Sequence, residues 1–169
     1  PVISSAASDV YKRQLIYRKT LSKKCFFFDA PISGGEIGAM NGTLSIMVGG
    51  KKSKFNNIKE ILDLYSKSLI YMGNSGSGQL TKMVNQICVA TIIQGLAEGL
   101  NFAKKKKLDV DSLIKVLSNG AGQSWQLENR AKTMWESKFN FGFMNKLMLK
   151  DLDIICLLYT SPSPRDVCS

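Results

Sequence analysis

One lysine and two side-chain amides, Lys82, Asn85 and Gln86, stand at positions i, i+3 and i+4 of a single apolar-periodic segment, so a helix there sets all three on one face. They follow the glycine-rich turn Gly73-Asn-Ser-Gly-Ser-Gly-Gln-Leu-Thr, while Leu80, Met83, Val84 and Ile87 take the other sides. The first turn of a helix carries unpaired N–H groups and the positive end of the dipole, which favour an anion. A proton donor beside a carboxylate-bearing substrate is the chemistry this spacing suits. Taken alone, Lys82 also reads as a surface lysine of a first helical turn. A second group of interest is Ser33-Gly34-Gly35, which closes the run Asp29-Ala-Pro-Ile. A hydroxyl and two glycine N–H groups can cradle a carboxylate, and a plain turn between strands is the alternative. Lys150-Asp151 adds a further charged pair near the C-terminal end.

Composition removes several classes of chemistry. The 169 residues contain no histidine, which excludes Ser-His-Asp and Cys-His catalysis, histidine-ligated zinc and a histidine general acid. No metal is expected. The formal charge is +10, carried by scattered lysines such as Lys51, Lys52, Lys54 and Lys104 to Lys107. A nucleic-acid surface concentrates arginine and aromatic residues on one element; lysines at helix ends read as solvated surface, so no nucleic-acid partner is expected. The four cysteines lie far apart with no CxxC pair, as in the reduced thiols of a cytoplasmic protein. No unbroken apolar run reaches the ~18 residues that span a bilayer, and no membrane partner is expected.

The two ends carry a signature of their own. Asp9-Val-Tyr-Lys-Arg-Gln14 can be encoded by a DNA segment whose inverse, read in another frame, gives Cys156-Leu-Leu-Tyr-Thr160 and then serine. One inverted segment thus accounts for both termini, as translated adapter from a transposase-made sequencing library does. Residues 1–14 and 156–169 are therefore expected to be adapter-derived and not native, and are set aside before fold reasoning. The natural insert is then Leu15 to Ile155, cut at both ends. Dropping Asp9, Lys12, Arg13, Arg165 and Asp166 changes the charge only from +10 to +9.

The elements that must hold the candidate residues follow from periodicity. Cys25 to Asp29 is short, aromatic and continuous, as in a buried strand. Asp29 to Gly35 is read as a loop, extended by Gly38 and Gly42. Thr43 to Val48 is a strand stopped by Gly49-Gly50, and Ser53 is read as the cap of a helix carrying Phe55, Ile58, Ile61, Leu62 and Tyr65. Leu69 to Met72 is a third strand. From Ser77 to Lys107 there is no proline, and apolar residues recur at three and four. That predicts a helix of roughly 45 Å, suited to the spine of a helical domain. Gly95 and Gly99 are read as a place where another helix packs closely. Further helices are predicted from Asp109 or Asp111 to Gly120, from Ser124 to Ser137, and from Asn145 onward. Trp125, Trp135, Phe139, Phe141 and Phe143 are read as core residues, with Phe141 the one able to wall a pocket. The fold class is α/β plus all-α: the C-terminal part of a Rossmann domain over residues 15–73, then part of a helical domain over 74–155.

Four ordered motifs, Asp29-Ala-Pro-Ile-Ser-Gly-Gly35, Gly42-Thr-Leu-Ser-Ile-Met-Val-Gly-Gly50, Gly73-x-x-Gly-x-Gly-x-x-x-Lys82-x-x-Asn85 and Lys150-Asp151, span the insert. In order and spacing they resemble the β-hydroxyacid dehydrogenases, a family that includes 3-hydroxyisobutyrate dehydrogenase and tartronate semialdehyde reductase. The resemblance implies an oxidoreductase that passes a hydride between NAD or NADP and a small 3-hydroxy acid or its semialdehyde. It implies Lys82 as catalytic lysine, Ser33, Gly34, Gly35, Asn85 and Gln86 as substrate-binding residues, and Lys150 at the nicotinamide end of the cofactor. Gln86 stands where many members carry a second asparagine. Chemistry supports the lysine independently, since hydride addition to a carbonyl leaves negative charge on oxygen that an ammonium stabilises and protonates.

Departures and rivals accompany the resemblance. The GxGxxG loop of a dinucleotide-binding half is not in this chain, and the family places it upstream. The fragment is accordingly expected to be inactive alone and poorly soluble, and a homo-oligomer is implied for the full-length parent. A 6-phosphogluconate dehydrogenase pairs its lysine with His-Asn, where this chain has Val84-Asn85. Imine reductases usually lack the lysine. A non-catalytic dehydrogenase-like binding module is the remaining alternative.

Overall fold

The computed structural model describes residues 2–4, 10–23, 25–140 and 145–160. The strands are β1 (Val2–Ser4), β2 (Phe27–Asp29), β3 (Ile32–Ser33), β4 (Leu44–Gly50) and β5 (Ser66–Gly73). The helices are α1 (Val10–Ser22), α2 (Gly35–Met40), α3 (Asn56–Asp63), α4 (Ser77–Lys105), α5 (Val110–Leu117), α6 (Trp125–Trp135) and α7 (Asn145–Thr160). They fall into two compact units, residues 1–86 with 142–169, and residues 87–141. This grouping differs from the expected 15–73 and 74–155: the head of α4 and the whole of α7 go with the sheet.

In the first unit β4 is the central strand. It pairs in parallel with β5 on one edge, and antiparallel with β2 and β3 on the other. β1 extends the sheet in parallel beyond β2. β2 and β3 behave as one strand interrupted at Ala30-Pro31, and the Pro31 carbonyl accepts from Met47 N–H at 3.1 Å, bridging the gap. Alternation along β4 turns Leu44, Ile46 and Val48 to one buried face. Ile58 and Leu62, at i and i+4 of α3, cover that face together with Phe28 and Ala30. Each such aliphatic side chain contributes about 1.5–3 kcal/mol by leaving water.

The second unit holds the rest of α4 with α5 and α6. There a core cluster of Leu100, Leu127 and Ala131 is ringed by half-buried Leu96, Val110, Leu113, Ile114, Met134 and Trp135. Both short helices are capped by side chains: Asp109 Oδ2 accepts from Ser112 N–H at 2.8 Å, and Ser124 Oγ accepts from Leu127 N–H at 3.0 Å.

Several expectations need correction. The stretch read as a loop after Asp29 contains β3 and α2. Gly38 lies inside that helix, where a Cβ would meet Leu44 Cδ2 at 3.2 Å. Ser53 caps nothing; it sits in a 3-10 turn, Lys52–Lys54, and α3 starts at Asn56 without a side-chain cap. Nothing among the described residues lies within 4 Å of a Cβ built on Gly95 or Gly99, so none of the described helices packs closely there. Trp125 and Phe139 are exposed, not core; Arg130 stacks on the Trp125 ring, its guanidinium 5.4 Å from the centroid. Phe141 and Phe143 lie outside the described residues. Finally, α4 does contain an 18-residue window of mean hydropathy 1.2, long and apolar enough by composition to cross a bilayer. Between Met83 and Ala103 its only formal charge is Glu98, so sparse charge substitutes for an unbroken apolar run.

Candidate active site

The head of α4 is built against the end of β2. β5 leaves the sheet at Gly73, and the chain turns through Gly73 and Gly76, both at positive φ (135° and 103°) where glycine is favoured. Asp29, fully buried, then accepts hydrogen bonds from Gly76 N–H and Gln79 N–H, the latter at 3.0 Å. A carboxylate in this position satisfies orphan donors and complements the dipole. The approach is close because two glycines face each other across the junction. A Cβ on Gly78 would lie 2.4 Å from Met47 O and 2.7 Å from Asp29 O, and one on Gly49 would lie 2.7 Å from Asp29 Oδ2.

This corrects the expectation that the helix N-terminus offers free N–H groups to a substrate anion. An internal anion, Asp29, takes two of those donors. No local pattern marks Asp29 for this role, since its partners are 47 and 50 residues away in the chain.

Lys82 follows less than one turn beyond Gln79 and is half-buried. Burial lowers its pKa from the ordinary lysine value, and the negative charge of Asp151 on α7 partly opposes that. Next on the same face, Asn85 Nδ2 donates to Gln86 Oε1 at 2.9 Å, and Gln86 Nε2 donates to Asp151 Oδ2 at 2.8 Å. Gln86 and Asp151 are both buried. The other Asp151 oxygen lies 3.3 Å from Lys150 Nζ, an ion-pair distance without hydrogen-bond alignment, and the lysine side chain is about half exposed. Such a pair adds little to stability.

Of the residues singled out in the sequence, the structure therefore gathers Lys82, Asn85, Gln86 and Lys150 around Asp151. Ser33, Gly34 and Gly35 belong to the same unit, at the end of β3 and the start of α2. Gly34 and Gly35 are exposed with φ of 126° and 63°, and nothing lies within 4 Å of a Cβ built on Gly35. Among the described residues no hydrogen bond or ion pair joins this loop to Lys82. No group of three His, Cys, Asp or Glu side chains among the described residues is placed to hold a metal ion.

Comparison with known proteins identifies the family to which this arrangement of sheet, long helix and half-buried lysine belongs. Residues 76–161 match the family described as NAD-binding of NADP-dependent 3-hydroxyisobutyrate dehydrogenase. Residues 1–73 match the NAD binding domain of 6-phosphogluconate dehydrogenase. The chain is 49% identical over 151 residues to an uncharacterized oxidoreductase of Shewanella frigidimarina, covering 89% of this chain and 51% of that one. It is 42% identical over 128 residues to 2-hydroxy-3-oxopropionate reductase of Escherichia coli, covering 76% and 44%. The fold superimposes on a Mycobacterium tuberculosis 3-hydroxyisobutyrate dehydrogenase solved with L-serine, with a TM-score of 0.83 at 27% identity, over 98% of this chain and 60% of that one. The chain belongs to the β-hydroxyacid dehydrogenase family. It spans about half the length of the curated relatives it matches.

Proposed function

We propose that the protein carrying this chain is an NAD(P)-dependent oxidoreductase that interconverts a small 3-hydroxy acid and its semialdehyde, with Lys82 exchanging the proton on the reacting oxygen. The observation that carries this reading is the state of Lys82: half-buried, lowered in pKa by that burial, and beside a fixed network of amides and a carboxylate. A lysine so placed can act in both directions. Protonated, it stabilises the oxygen that gains charge in reduction and delivers its proton there; neutral, it accepts the hydroxyl proton in oxidation.

The other residues divide the substrate and cofactor ends. Ser33, Gly34 and Gly35 offer a hydroxyl and an open glycine backbone to the substrate carboxylate, and Asn85 and Gln86 border the same substrate. NAD or NADP, when bound, supplies or takes the hydride. The residues present fit only its nicotinamide end: Lys150 stands half-exposed beside the Asp151 network, while no GxGxxG loop for the pyrophosphate occurs in the sequence. Exposed free thiols at Cys25 and Cys88 suit a reducing, cytoplasmic setting. A homo-oligomer of the full-length parent is part of the same reading.

The test uses the complete protein, assayed with a panel of 3-hydroxy acids and semialdehydes and either NAD or NADP. Lys82→Ala is expected to lower kcat about 10²–10⁴-fold. In the reduction direction, wild-type activity falls as pH rises through the Lys82 pKa, because the protonated form is lost. In oxidation it rises over the same range. Both limbs lie below the ~10.4 of an ordinary lysine, since burial depresses this one. Wild-type rates from Lys82→Ala would overturn the assignment.

A further inference from the structure

We propose that Asp151 is a positioning residue for the reaction at Lys82: its carboxylate fixes the amide of Gln86 and, through it, the amide of Asn85. The proposal rests on the function proposed above and assigns a role to a residue that is not itself placed against the substrate.

The argument is one of donor and acceptor sense. An ionised carboxylate only accepts. Gln86 must therefore turn its Nε2 toward Asp151 Oδ2, as it does at 2.8 Å. That leaves Gln86 Oε1 facing the other way, where it accepts from Asn85 Nδ2 at 2.9 Å. Rotating either amide by half a turn would set oxygen against oxygen or N–H against N–H. Gln86 and Asp151 are only 3% and 5% exposed, so bulk water does not compete for these bonds, and in such surroundings a mispaired group is costly. Asn85 is half-exposed, and one of its N–H groups is committed inward. Its Oδ1 and second N–H are what it can offer a ligand. The face shown to the substrate is thus set from behind, by a residue on another helix.

Stability alone is a poor account of Asp151. A buried carboxylate carries a desolvation penalty that an apolar residue of similar volume would avoid, and one of its oxygens, Oδ1, has no aligned hydrogen-bond donor among the described residues. Its charge also reaches Lys82, holding the ammonium against the effect of burial. Among the described residues, Lys150 stands beside Asp151 on α7, and Asp29 is bonded to Gly76 and Gln79 at the head of α4.

Two variants of the complete protein separate positioning from mere packing. Asp151→Asn keeps the shape and one acceptor but removes the charge and the constraint on amide sense. It is expected to lower kcat by up to roughly 100-fold and to move the Lys82 limb of the pH profile to lower pH, in both reaction directions. Gln86→Met keeps the charge and breaks the relay, so kcat falls while the limb stays in place. An unmoved limb in Asp151→Asn, or wild-type kinetics from Gln86→Met, would overturn the proposal. Either result is distinguishable from failure of the dehydrogenase reading itself, in which the wild type shows no turnover that depends on Lys82. Should Asp151→Asn not fold, Gln86→Met alone decides whether the relay exists.

Discussion

The two ends of α4 are made by opposite means. At its head, Asp29 holds two backbone N–H groups, Gly78 and Gly49 let the helix touch the sheet, and Gln86 is pinned to Asp151. Farther along, nothing among the described residues lies within 4 Å of a Cβ built on Gly95 or Gly99, although Leu100 and Ala103 are buried in the second unit. One continuous helix therefore carries a part whose glycines are clamped against the sheet and a part whose glycines have room around them. Lys82, Asn85 and Gln86 all lie on the clamped part. A group that must be held to a fraction of an ångström belongs where backbone, carboxylate and glycine leave no alternative position.

Glycine substitution is the sharpest way to break this contrast. Gly78→Ala drives a methyl group into two backbone carbonyls, which cannot swing aside as a side-chain tip can. It is expected to destabilise by about 3 kcal/mol or more, near the upper end of overpacking effects, seen as a lower urea midpoint. Asp29→Ala comes next. It strands Gly76 and Gln79 N–H in a buried place, with an expected loss of about 1–3 kcal/mol in the same measurement. Gly95→Ala is the smallest effect and has the opposite sign. With nothing to clash against, alanine in a helix interior should stabilise the chain by about 0.5–1 kcal/mol. Equal effects at Gly78 and Gly95 would show that the head is no more constrained than the tail.

Much of this was legible from local pattern. The absence of proline and the three-and-four spacing from Ser77 place α4, and Asp109 and Ser124 mark the starts of α5 and α6 through their own side chains. The common face of Lys82, Asn85 and Gln86 follows from helix geometry alone. Features that depend on distant partners were not legible. Asp29 reads as the last residue of a strand until its partners are seen 47 and 50 residues on. The bond from Gln86 to Asp151, 65 residues later, has no local signal either. Gly34 and Gly35 were recognisable as a turn, but α2 was not, because its two glycines and short length hide any helical period. Trp125 was misread because size suggests burial, whereas its position at the very start of α6 leaves it in solvent.

The Asp29 cap also orders events in time. Its bonds span 47 and 50 residues, so they cannot form until the intervening chain has brought β2, β4 and β5 together, and loops of that length close later than local helical turns. α5 and α6 need only neighbouring residues to begin. The lysine at the centre of the site thus reaches its final position late in folding, after the sheet. In pulsed hydrogen exchange, the amides of Gly76 and Gln79 are expected to gain protection after those in the middle of α6; earlier protection at the α4 head would reverse that sequence.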